Sequence, residues 1–271
     1  MDELLRCSRM LGHRAAKFWR PGRRDIVMMC VALAATGAAS GGMLPASKSE
    51  RTQEMQKVYT IYWKQPEEYT SDLRVLDGDF KQVYPTGFEF NPNSTDVAAV
   101  GNMLMQPDRT FVERMWTYQG LPVDMTHAPT RVQYTGRLEE MADVMRASSW
   151  FVVSERFRSV VERLEPGKHQ FQPVELVDAE GNHLAHYFWL VPCARVDGMD
   201  REHTTHEFYK ERSWRQIPGK KYVVSLKQTA GHHLWIDPRT NFGTVFISQE
   251  LHDALEAANL GGLGFGELDA I

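Results

Sequence analysis

Residues 151–171, FVVSERFRSVVERLEPGKHQF, and residues 245–265, VFISQELHDALEAANLGGLGF, follow one plan. Each reads as an apolar strand, a serine, an amphipathic helix, a glycine stop and a second strand. In the first segment Ser154 stands where its hydroxyl accepts a bond from an orphan amide of the first helical turn. Phe157, Val160, Val161 and Leu164 follow at the i, i+3, i+4, i+7 spacing of a single helical face, and Pro166–Gly167 ends the helix. The second segment repeats the plan with Ser248, then Leu251, Ala254, Leu255 and Ala258, then Gly261. A constant offset of 94 residues carries Ser154 onto Ser248, Glu162 onto Glu256 and Gly167 onto Gly261. Units of this kind must lay helices on a sheet. The expected class is α+β, an antiparallel or mixed β-sheet with about three helices packed on it and a possible internal strand–helix–strand repeat.

The remaining patterns supply further strands. KVYTIYW from Lys57 alternates branched and aromatic residues and should open the fold. Residues 64–110 are dense in turn signals such as DGD at 77–79, PTG at 85–87 and NPNS at 91–94, so short strands and irregular loops are expected there. Phe111 to Tyr118 reads as a strand. RLEEMADVMR, residues 137–146, places Leu138, Met141 and Met145 at helical spacing. QFQPVELVD, the turn AEGN and HLAHYFWLVPCARV read as a hairpin whose second strand, apolar on both faces, belongs at the centre of its sheet. Residues 196–221 are polar and loop-like, and YVVSLKQ at 222–228 and HLWID at 233–237 are two more strands.

Charge divides the chain. Residues 1–54 hold nine Lys/Arg against five Asp/Glu, whereas residues 55–271 hold 22 against 30. An acidic body argues against a nucleic-acid backbone as partner, since neutralising phosphates takes clustered bases. The first 54 residues form a basic leader with two readings. Arg23 and Arg24, an apolar run from Ile26 to Ala35 and a small-residue tail to Gly42 have the parts of an export signal with a twin-arginine-like core. The other reading is an over-extended start, with translation beginning at Met43 or Met55. The apolar run is too short for a stable membrane span in either case. Residues 55–271 are the globular domain. Of Cys7, Cys30 and Cys193 only the last lies in that domain, which therefore has no partner for an intramolecular disulfide.

The search for chemistry starts with histidine: His183 and His186, His203 and His206, His232 and His233. Metalloprotease chemistry needs H-E-x-x-H, two imidazoles one turn apart with a glutamate base, and REHTTHEF lacks that spacing. Adjacent His232 and His233 would point to opposite faces of a strand. Ser154 lacks the glycines of a G-x-S-x-G elbow and is a cap. Burial in an apolar strand would raise the pKa of Cys193, the wrong direction for a thiolate nucleophile. Glu139, Glu140 and Asp143 fall on a solvated helix face, and Asp197 and Asp200 in a turn-prone loop suit Asx turns. GGLGFG at 261–266 follows a helix and has no P-loop lysine, so it is a helix stop and turn. Trp63, Trp214 and Trp235 stand beside polar neighbours, the composition of a protein-binding surface.

FVVSERFRSVVERLEPGKHQFQPVEL, YFWLVPCARVDGMD and HHLWIDPRTNFGTVFISQELHDALEAANLGGLGF resemble the immunity-protein family eleven of bacterial polymorphic toxin systems, formerly a domain of unknown function. The resemblance covers residues 151–268 best and extends more loosely from Met55. Its motifs are structural, and it carries no catalytic, cofactor-binding or metal residues and assigns no partner-binding ones. It implies a non-catalytic immunity protein that binds and neutralises a cognate protein toxin by occlusion, without cofactors. The implied setting is the cytoplasm, or the periplasm if the twin-arginine-like leader acts. Two other classes remain open on the residues alone. One is a ligand-binding or secreted accessory domain without a toxin partner. The other is a metal enzyme built on His203, His206 and His232 with an acid such as Asp237.

Overall fold

The computed structural model describes residues 56–64, 73–86, 103–113, 118–240 and 243–271. The leader, the NPNS turn and the end of the strand expected after Phe111 lie outside the described residues, the last of these at 114–117. In chain order the elements are β1 (Val58–Trp63), β2 (Leu73–Val75), a 3-10 turn (Phe80–Gln82), β3 (Met103–Met105), β4 (Phe111–Glu113), β5 (Arg131–Tyr134) and a second 3-10 turn (Leu138–Glu140). Then come β6 (Val144–Ala147), β7 (Trp150–Val153), α1 (Glu155–Leu164), β8 (Gln170–Val177), β9 (His183–Val191), β10 (Glu207–Tyr209) and β11 (Ser213–Arg215). β12 (Val223–Val224), α2 (Leu226–Thr229), β13 (Leu234–Trp235), β14 (Val245–Ser248), α3 (Gln249–Ala257) and β15 (Leu263–Ala270) complete the chain. The class is α+β.

The strands form a six-stranded sheet, β2-β5-β8-β9-β7-β6, a five-stranded sheet, β12-β15-β1-β14-β13, and the hairpins β3-β4 and β10-β11. β9 sits inside the larger sheet, as its two apolar faces require. The edge strands β2 and β6 touch, so this sheet rolls towards closure around aromatic side chains. Phe80 stacks on Trp150 at 4.8 Å and meets Trp189 edge-on at 4.9 Å. The fully buried Trp189 donates its indole N–H to the Pro129 carbonyl at 2.7 Å, which satisfies the one polar atom that the burial would otherwise orphan.

The five-stranded sheet is buried on both faces by alternation. Val245 and Ile247 of β14 and Leu234 of β13 join the main core with α1 and α3, through Phe157, Val161, Leu251 and Leu255. Phe246, Trp235 and Val58 point the other way, into a second core closed by Ala194, Val196, Met199, Trp214 and Val224.

The two similar segments are the same motif in space. β7 and β8 flank β9, and β14 and β15 flank β1, every neighbour antiparallel. Val152 and Gln172 both face Trp189, and Phe246 and Gly266 both face Thr60; Val153 and Pro173 share Phe188, and Ile247 and Glu267 share Tyr59. The 94-residue offset of the sequence is therefore also the offset of the register. Both helices start as expected, with Phe157 N–H donating to Ser154 Oγ at 3.3 Å and Leu251 N–H to Ser248 Oγ at 3.2 Å. The middle strand differs in origin, since β9 follows its unit and β1 precedes its own.

Three expectations need correction. The helical spacing over 137–146 yields only the 3-10 turn and then β6, in which Val144 and Met145 pair with Val153 and Val152. Pairing to a fully buried neighbour outweighs a local spacing that both periods nearly satisfy. YVVSLKQ stops as a strand after Val224, because Ser225 turns the chain into the short α2. The polar stretch 196–221 contains the β10–β11 hairpin, whose Phe208 and Trp214 face the second core.

Candidate functional site

The histidines disperse. His183 Nδ1 lies 3.0 Å from Glu175 Oε1, with the His186 ring 4.5 Å away, on the exposed end of the β8–β9 hairpin. His203 bonds Asp200 at 2.8 Å, and His206 Nδ1 accepts the Ile217 N–H at 3.1 Å. Among the described residues no group of three or more His, Cys, Asp or Glu is placed to hold a metal ion. His203, His206, His232 and Asp237 therefore do not assemble into a shared metal site.

His232 and His233 belong to a junction centred on a residue that sequence reading missed. Glu165, at the C-cap of α1, is buried, with Lys168 Nζ at 2.5 Å and His169 Nε2 at 2.6 Å from its carboxylate. The same carboxylate accepts the backbone N–H groups of His233 and Leu234 at 3.0 and 2.9 Å. Burial alone would raise this acid, but the His169 and Lys168 bonds and the backbone donors hold it down at about 2. His169 Nδ1 accepts the Cys193 N–H at 3.0 Å, so its proton sits on Nε2 and points at Glu165. His232 Nδ1 accepts from Lys168 at 2.9 Å, and His233 Nδ1 is hydrogen-bonded with Ser248 Oγ at 2.9 Å. One carboxylate thus ties α1 to β13, while His169 ties the start of β8 to the end of β9.

Asp237 is the second buried acid. Its Oδ2 accepts the N–H groups of Gly198 and Met199 at 2.8 and 3.2 Å, and its Oδ1 that of Arg239 at 2.8 Å. Burial pushes its pKa up to about 6 against those backbone bonds. A Cβ at Gly198 would lie 2.8 Å from Thr229 Cγ2, so a larger residue there would have to displace the buried Thr229. Asp197 bridges Arg201 at 2.6 Å and Arg239 at 2.5 Å, and Asp200 accepts the N–H groups of Glu202 and His203 in the expected Asx turn.

The other candidates are structural. Burial pushes the Cys193 thiol up to about 11. Asp143 accepts from Ser154 Oγ, Arg156 and the Gly261 N–H, which pins the α1 cap to the turn after α3. Glu139 and Glu140 lie in the 3-10 turn instead of a longer helix. In GGLGFG, Gly262 takes φ +77° and passes beside Val144, so the first two glycines make the expected stop and turn, while Leu263–Gly266 already belong to β15. The tryptophan expectation fails in part: Trp214 and Trp235 are 5% and 0% exposed and fill the second core, because Ser213 and Arg215 point to the strand face opposite Trp214 and the Asp237 near Trp235 is itself buried.

Glu165, Asp237 and His169 each accept backbone amides from elsewhere in the chain. A family model for the immunity protein family (Imm11) matches residues 45–270. No curated protein matches the chain. Among the described residues no helix is long and apolar enough to cross a membrane. The match spans most of the chain and every described element, and the chain belongs to the immunity protein family (Imm11).

Proposed function

We propose that the protein neutralises a cognate toxin by binding it and covering its active cleft, without catalysis of its own. The observation that carries this reading is the family match over residues 45–270, on a fold whose buried acids and histidines are spent on backbone and ion-pair bonds. Inhibition by binding needs only a rigid surface with a few buried anchors and a charge-matched rim. The cytoplasm is the proposed site of action, with residues 55–271 sufficient for it.

The test is rescue of growth. A toxin domain encoded beside this gene is expressed in a sensitive cell together with the full chain, and separately with residues 55–271. Rescue by both, with a complex that co-purifies, is the expected result. Absence of rescue and of any complex rejects the immunity reading, and rescue by the full chain alone moves the action outside the cytoplasm.

A further inference from the structure

The β10–β11 hairpin closes through a turn that violates the usual economy of such turns. The Arg212 N–H donates to the Tyr209 carbonyl at 3.0 Å, and the two residues between, Lys210 and Glu211, have φ of 50° and 56°. A turn with two consecutive left-handed residues ordinarily carries asparagine and glycine, which adopt that region with little or no steric cost. A lysine followed by a glutamate is strained there. Strained positions of this kind cluster at binding and active sites.

The surroundings do not supply a structural reason for these two side chains. Glu211 pairs with Arg109 at 2.9 Å, but both side chains are mostly exposed, so the pair contributes little. Arg109 is itself left-handed, φ 65°, at the tip of the β3–β4 hairpin. Two strained tips therefore meet through an exposed ion pair. Beneath them the hairpin is firmly held: Phe208 and Trp214 face the second core, and the Arg201 guanidinium lies 3.9 Å from the Phe208 ring centre. Its outer face carries Tyr209, 38% exposed, with Arg215 at 4.3 Å and Lys210 at 5.1 Å from the ring centre.

A half-exposed tyrosine clamped by two cations on a rigid ribbon has the composition of a binding hot spot. The charge of the region selects the partner. At the tip Arg109 pairs with Glu211 at 2.9 Å and Arg215 with Glu207 at 3.0 Å, which leaves Lys210 as the cation in excess, in a globular domain where acids outnumber bases 30 to 22. We infer that the β10–β11 tip, with Tyr209 as anchor and Arg109, Lys210 and Arg215 around it, docks an acidic patch of the toxin. This rests on the immunity reading above.

The test uses the full chain and the toxin domain encoded beside its gene, with affinity and melting temperature measured together. Replacing Lys210→Gly and Glu211→Gly relieves the left-handed strain, so the melting temperature should hold or rise while the complex weakens about tenfold. Tyr209→Ala and Arg215→Glu should each weaken it about tenfold or more, and wild-type affinity should fall as salt is raised. Wild-type binding that all these variants retain overturns the hairpin surface and leaves the immunity reading standing. No wild-type binding overturns both. Binding of the tip to a nucleic-acid oligomer in place of the toxin, lost in Arg215→Glu, likewise overturns the inference.

Discussion

Two buried acids titrate in opposite senses, and each leaves its mark on stability. Glu165 is lowered from 4.5 to about 2 in the folded state, so its contribution is present above the unfolded value and is lost as pH falls from 4.5 towards 2. The shift corresponds to about 3 kcal/mol. Asp237 is raised from 3.8 to about 6, so its contribution is present below 3.8 and is lost as pH rises through 6. From these two groups the urea midpoint should peak near pH 4 and level off above about pH 6. In Glu165→Gln the acid limb should flatten, and in Asp237→Asn the decline between about pH 4 and 6 should vanish; urea titrations across pH 3 to 8 check both. Unchanged limbs in the variants would reject the assignment. Neither acid was legible in the sequence as a junction, because Glu165 bonds residues 233 and 234 and Asp237 bonds 198 and 199. His169 was equally hidden, since its role depends on the amide of Cys193 reaching it across the β8–β9 hairpin.

At the level of elements, the caps were readable and the partners were not. Ser154→Ala and Ser248→Ala should each lower stability by about 1 kcal/mol, measured by denaturant unfolding, because each serine satisfies an amide of its helix's first turn. Gly262→Ala should cost about 2 kcal/mol or more, since the position is left-handed and an added Cβ would strike the Val144 carbonyl, which is backbone and cannot give way. A Gly262→Ala protein as stable as wild type would show that this turn is less constrained than its geometry indicates. Capping signals are legible because their bonds span three residues. The spacing of Leu138, Met141 and Met145 misled because β6 is held by β7, and that pairing outweighs a weak local helical preference. The hairpin at 207–215 was invisible for another reason: its turn residues are Lys210 and Glu211, where glycine or asparagine would have announced it.

For the whole molecule, the decisive strand is β1, which comes from the start of the globular domain and pairs between β14 and β15 near its end. Deleting residues 1–54 should leave the circular dichroism spectrum of the fold, whereas deleting residues 1–64 should abolish soluble, cooperative folding by parting β14 from β15. A deletion to residue 64 that still melted cooperatively would contradict this arrangement. The sequence by itself determined the class, the two capped helices and their 94-residue offset, since these rest on periodicity and on bonds within one turn. It also carried the family resemblance over the C-terminal half. Only the tertiary structure decided that each unit closes around an antiparallel middle strand, one from downstream and one from far upstream. It alone placed Trp214 and Trp235 inside a second core and raised a strained, cationic hairpin above it. Periodicity tells which face of a strand is apolar. Which other strand covers that face is a long-range choice, made by the total area the molecule can bury at once.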